Sequence, residues 1–122
     1  MIYGIGIDLC SIRRVQNIKD LNKFANKILT SDEIEYLDTL DQKNSVNYLA
    51  KQFAAKEALS KALGTGLTGD VKLNLIEIDR DQSGKPYIKM NDHMKTILSK
   101  IGINSTFVSL ADDSDYAIAT VI

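Results

Sequence analysis

The stretch Tyr48 to Leu63, YLAKQFAAKEALSKAL, is rich in strong helix formers and runs into Gly64 and Gly66, so it predicts a long helix ended by glycine. Leu49, Phe53, Ala58, Ala62 and Leu63 form part of an apolar stripe along it. Lys56, Glu57, Ser60 and Lys61 recur three and four apart, which predicts a polar strip facing away from the core. A chain of 122 residues has room for one core, and residues 1–122 read as a single domain. A domain this small also buries a limited share of its surface, so a cleft large enough for a nucleotide is expected to involve a subunit interface.

The segments around that helix follow their own periodicities. Ile2 to Leu9 is an apolar run with two glycines, Gly4 and Gly6, and reads as a buried strand with Asp8 at its end. Val15, Ile18, Leu21, Phe24, Ala25 and Ile28 have the spacing of one helix face and predict a helix over Ile12–Leu29. Thr30 and Glu33 form a capping box that opens a second helix through Leu40. Beyond Gly66 the pattern changes: Leu73–Asp79, Pro86–Met90, Thr106–Leu110 and Tyr116–Val121 read as strands, with a helix over Asp92–Lys100. The turn Asp112–Asp115 joins the last two strands as a hairpin. The result is an α+β domain, an antiparallel sheet packed with helices, because strands follow one another without regular helical crossovers.

Charge and residue usage remove several classes of function. A formal net charge of -1 lacks the basic field of a nucleic-acid binder. No long uncharged apolar run predicts a membrane span, and the first residues lack the pattern of a signal peptide, so a cytoplasmic protein is expected. Cys10 is the only cysteine and His93 the only histidine, which excludes an internal disulfide, a cysteine cage and a histidine-rich zinc site. Cys10 reads as a small semi-buried filler and His93 as a surface helical residue. Any metal must then be held by carboxylates, which points to a hard ion such as Mg²⁺.

Two groups of residues have the chemistry for a site, and each also has a plainer reading. Glu57 and Lys61 at i and i+4 can be a helix-stabilising ion pair worth ~0.3 kcal/mol. Alternatively, lysine beside the Gly64-Thr65-Gly66 backbone is a place to hold phosphates. Asp8, directly after a buried strand, can cap the next helix or join Glu57 as a metal-binding carboxylate pair. Arg13, Arg14, Lys19, Lys23 and Lys27 stand against one acid, Asp20, and the three lysines recur at i, i+4 and i+8. This predicts a basic face suited to an acidic partner, or a merely solvated one.

Gly4-Ile5-Gly6-Ile7-Asp8-Leu9 with Arg13-Arg14, together with Phe53-Ala54-Ala55-Lys56-Glu57-Ala58-Leu59-Ser60-Lys61-Ala62-Leu63-Gly64-Thr65-Gly66, resembles the two signature motifs of the holo-[acyl-carrier-protein] synthases. These are the short, single-domain phosphopantetheinyl transferases. Gly84-Lys85-Pro86-Tyr87, Val108-Ser109-Leu110 and Tyr116-Ala117-Ile118-Ala119 extend the resemblance along the chain. It implies transfer of the phosphopantetheine arm of coenzyme A to a serine of an acyl carrier protein, in support of fatty acid biosynthesis. It also implies Mg²⁺ on Asp8 and Glu57, and catalytic roles for Glu57 and Lys61. Coenzyme A would lie on Lys61, Gly64, Gly66, Lys85 and Pro86, and the carrier on Arg13, Arg14, Ile18 and Leu21. A homotrimer with sites shared between subunits is implied as well.

The chain departs from the family at Asp112, where many members have a histidine, and at Gln52, where a basic residue is common. The proton acceptor is then Asp112 or Asp113, Glu57, or a metal-bound water. A coenzyme A-binding module without catalysis and a purely structural trimer are the competing readings.

Overall fold

The computed structural model describes residues 1–122. Strand β1 (Gly6–Ser11) leads into helices α1 (Ile12–Gln16), α2 (Leu21–Ile28), α3 (Ser31–Leu37) and the long α4 (Gln42–Leu63). A 3₁₀ turn (Leu73–Leu75) precedes β2 (Ile78–Arg80) and β3 (Pro86–Ile88). Helix α5 (Asp92–Lys100) then leads to β4 (Val108–Asp112) and β5 (Tyr116–Val121). The sheet order is β1-β5-β4, antiparallel throughout, and β2 and β3 form a separate antiparallel pair. The α+β class is as expected.

The two glycines of the first motif explain how α4 meets the sheet. A Cβ on Gly6 would stand 1.7 Å from the Ala58 carbonyl oxygen, and one on Gly4 2.0 Å from that of Ala62. The strand therefore lies directly on the helix backbone. Ala54, Ala55 and Ala58 are fully buried on α4, and Ala117, Ala119 and Val121 close the same layer from β5. The alternation of β1 turns Ile5, Ile7 and Leu9 to the opposite face, where they remain exposed.

Several boundaries differ from expectation, each for a local reason. The helix read over Ile12–Leu29 is two helices, because the Asp20 carboxylate accepts the Lys23 N–H (3.0 Å) and starts α2 afresh. One apolar face survives the break, with Val15, Ala25 and Ile28 buried and Ile18, Leu21 and Phe24 packed on the core. Helix α4 begins at Gln42 rather than Tyr48, since Asp41 caps it by accepting the Asn44 N–H at 2.8 Å.

β1 is shifted towards Ser11, because its partner β5 ends at Val121 opposite Gly6 and residues 2–5 have no strand beside them. Asp8 accordingly lies inside the strand, not at its end, and Ser11, not Asp8, caps α1. The strand expected over Leu73–Asp79 is a 3₁₀ turn followed by a short β2, and side chains occupy the backbone there: Lys56 donates to the Leu73 carbonyl and Glu33 accepts the Ile78 N–H. β4 runs two residues later than read. The capping box at Thr30 and Glu33, helix α5 and the β4–β5 hairpin form as expected.

Candidate active site

Asp8 sits on the α4-facing side of β1, opposite Ala119, with its side chain largely covered. Lys61 reaches it from the last turn of α4, donating to Asp8 Oδ1 at 2.9 Å and to the Ile7 carbonyl at 3.0 Å. Glu57 lies one turn earlier on the helix. Its pKa is raised above the usual glutamate value, first by burial and then by the charge of Asp8, while Lys61 offsets part of the effect. Asp8 thus forms no helix cap, and Lys61 bonds to Asp8 rather than serving only as the i+4 partner of Glu57.

This is a carboxylate pair under mutual repulsion with one ammonium to balance it. Hard oxygen donors of net negative charge suit Mg²⁺, and the Asp8 repulsion that adds to burial in lifting the Glu57 pKa is what a divalent cation relieves. No group of three or more acidic, histidine or cysteine side chains converges anywhere in the chain. A metal here would need its remaining ligands from substrate oxygens and water, as is usual for Mg²⁺ at phosphates.

α4 ends beside this cluster. Gly64 adopts φ 77° as its C-cap and donates to the Lys61 carbonyl (3.0 Å), and Gly66 follows at φ 63°. Both left-handed positions favour glycine, and nothing stands within 4 Å of where their Cβ atoms would be. The loop beside Lys61 is therefore sterically uncrowded, while both glycine N–H groups donate back to α4, Gly66 to the Ser60 carbonyl at 3.3 Å.

The strip expected to face solvent does not exist as a unit: Lys56 and Ser60 are buried, Glu57 is half-buried, and only Lys61 is exposed. Lys85 lies in the β2–β3 turn and Pro86 opens β3, the turn being held by Asp81 accepting from the Ser83 and Lys85 N–H groups and by Arg80 donating to Gly84. No hydrogen bond or ion pair joins that turn to Asp8, Glu57 or Lys61. Arg13 and Arg14 are exposed on α1, whereas Ile18 and Leu21 are half-buried against the core. Lys19 falls in the break, so the three-lysine helix face is reduced to Lys23 and Lys27.

Asp112 faces elsewhere on α4. It pairs with Lys51 at 3.7 Å, in a cavity of about 910 Å³ that also takes in Tyr48 and Arg80. Gln52 is buried, donating to Glu33 and to the Ile78 carbonyl, and so serves the core rather than the site. Cys10 is buried, as expected of a filler, and His93 is half-buried rather than a surface residue, with Nε2 lacking a hydrogen-bond partner. Sequence reasoning missed a groove of about 630 Å³ beside Glu57, lined by Phe24, Phe53 and Leu67 together with the exposed Lys27 and Lys72. Its signal was present in the α2 pattern, which marked Phe24 as apolar, but not in the segment 67–74 that closes the other side.

The model of the 4'-phosphopantetheinyl transferase superfamily matches residues 4–121. The chain belongs to that superfamily. Among its relatives are holo-[acyl-carrier-protein] synthases of Buchnera aphidicola (42% identical, covering 99% of this chain and 96% of the relative) and of Bacillus subtilis (40%, covering 100% and 95%). A crystal structure of the holo-[acyl-carrier-protein] synthase of Neisseria meningitidis superposes with a TM-score of 0.91 at 41% identity, covering 99% of this chain and 97% of that one. The Bacillus anthracis enzyme, solved in complex with coenzyme A (3',5'-ADP), has a TM-score of 0.84 at 34% identity, covering 99% and 95%. Within the superfamily, the chain is a member of the holo-[acyl-carrier-protein] synthase group that its motifs resemble. No helix of this transferase is long and apolar enough to cross a membrane.

Proposed function

We propose that the chain transfers the 4'-phosphopantetheine group of coenzyme A to a serine of an apo acyl carrier protein, releasing adenosine 3',5'-bisphosphate, with Mg²⁺ as cofactor. What supports this most is the meeting of Asp8, Glu57 and Lys61 beside the uncrowded Gly64–Gly66 loop, in a chain of this superfamily. Asp8 and Glu57 would hold the ion, which would offset the charge of the coenzyme A pyrophosphate.

The chain's own residues then account for the remaining chemistry. Lys61 places a positive charge where negative charge grows on the phosphoryl oxygens. The serine oxygen bonds to the β-phosphorus as the bond to the bisphosphate breaks, and the serine proton passes to a base. Glu57 is the carboxylate at hand within one chain, because Asp112 is paired with Lys51 on another face of α4. Lys85 and Pro86, apart from this cluster, fit the adenine side of a site completed by a neighbouring copy.

The exposed outer sheet face at Ile5, Ile7 and Leu9 supports assembly into a homotrimer that shares its sites. Arg13 and Arg14, with Ile18 and Leu21 behind them and the groove alongside, would receive the acidic carrier. The setting proposed is cytoplasmic fatty acid biosynthesis. Incubation of apo carrier with this chain, coenzyme A and Mg²⁺ is expected to add one phosphopantetheine mass to the carrier. Mass spectrometry that finds none, while coenzyme A still binds, leaves a binding module and refutes the transferase.

A further inference from the structure

Lys56 lies one residue before Glu57, yet it points the other way and is fully buried. Its three ammonium protons have three acceptors: the Ile28 carbonyl at 2.6 Å, Glu33 Oε1 at 2.5 Å and the Leu73 carbonyl at 3.1 Å. Ile28 is the last residue of α2, where backbone carbonyls lack helical partners and the helix dipole favours a cation. Leu73 begins the 3₁₀ turn that closes the segment after the glycines. Glu33 is fixed in turn, accepting from the Thr30 N–H at 2.9 Å, the Ile78 N–H at 3.0 Å and the Gln52 amide.

The placement of these acceptors is informative. Ile28 and Leu73 both line the groove whose lining also includes Glu57. One buried ammonium therefore ties two lining segments, the end of α2 and the 3₁₀ turn, to the helix that carries the acidic residue. Buried ion pairs are often replaceable by apolar side chains without loss of stability, and the surrounding α4 positions Ala54, Ala55 and Ala58 are such side chains. A charged strut at this point is better explained by the geometry it imposes than by core stability.

Resting on the function proposed above, we infer that Lys56, locked by Glu33, is a positioning residue that sets the width of the groove beside Glu57 and thereby governs recognition of the carrier protein rather than of coenzyme A. The groove's apolar lining and exposed lysines suit a protein surface. The Gly64–Gly66 loop and Lys61, on the coenzyme A side, receive no hydrogen bond from Lys56.

The test removes both charges together, as Lys56→Met with Glu33→Gln, so that no unpaired ion is left buried. Relative to the parent, the carrier KM is expected to rise about tenfold while the coenzyme A KM stays within about twofold. Amide exchange should quicken at residues 67–74 and at the end of α2. Leu98→Ala, a core lesion in α5, serves as the control for general destabilisation. An unchanged carrier KM in an active double variant overturns the inference, as does an equal rise in the Leu98→Ala protein at matched melting temperature. A parent that transfers nothing overturns the functional reading instead, and unchanged exchange at these lining segments then disposes of the strut on its own.

Discussion

Burial and the nearby Asp8 charge hold the Glu57 pKa above the ordinary glutamate range. A carboxylate shifted upward on folding favours the fold while protonated and loses that contribution as pH rises through its folded pKa. Glu57→Gln stays neutral, so in metal-free buffer at pH 7 it is expected to melt above the parent, with the gain shrinking as pH falls toward about 4, where glutamates protonate anyway. Equal melting temperatures at pH 7 would contradict the strained-pair description. The same substitution, and Asp8→Ala, should lower transfer by ~10²-fold or more, since each removes a carboxylate that would hold the ion offsetting the pyrophosphate charge. Lys61 offers a separate check, because its ammonium already sits 2.9 Å from Asp8 Oδ1. Lys61→Met is expected to bind Mg²⁺ alone several-fold more tightly, by removing a competing cation, while transferring more slowly. Calorimetry showing weaker Mg²⁺ binding in that variant would mean that Lys61 supports the carboxylates instead of competing for them.

Strand β1 and helix α4 show why some of this was readable from sequence and some was not. Gly4 and Gly6 announced a close backbone approach, and the structure supplies the partner: the Ala58 and Ala62 carbonyls. Caps written in neighbouring residues, such as Thr30 with Glu33, were equally legible, because both partners lie within one turn. The break at Asp20 was hidden by an apolar periodicity that continues through it. The burial of Lys56 was hidden for a different reason, since its acceptors at residues 28, 33 and 73 are distant in sequence and helical spacing alone placed it beside Glu57. Element contacts also set the scale of glycine replacement. Gly6→Ala must push a methyl to 1.7 Å from a helix carbonyl and is expected to destabilise by about 3 kcal/mol or more. Gly66→Ala meets only its φ of 63° and should lose about 1 kcal/mol. Denaturant titrations giving equal losses would show that the strand does not rest on the helix backbone.

At the scale of the whole molecule, the sheet has a covered side and a bare one. Ile5, Ile7 and Leu9 are 62%, 55% and 58% exposed, and Phe107, just before β4, and Tyr116, on β5, add 61% and 47%. The pairing places Ile7 opposite Thr120 and Leu9 opposite Ile118, so these residues form one surface. Contiguous apolar surface of this kind marks an interface. The candidate site is also divided, with the acidic pair at one end of α4 and the Lys85–Pro86 segment joined to it by no hydrogen bond or ion pair. Assembly through the bare face would satisfy both conditions at once. Ile5→Glu puts a charge on that face without touching the acidic pair, and light scattering is expected to report monomers where the parent gives trimers, with transfer largely lost. Shared sites make a further demand: Glu57→Ala and Lys85→Glu, each inactive alone, should regain part of the parent activity when refolded together, because some hybrid sites then combine two intact halves. Full activity in a monomeric Ile5→Glu protein would show that one chain holds a complete site, and the turn at Lys85 would then have no part in binding coenzyme A.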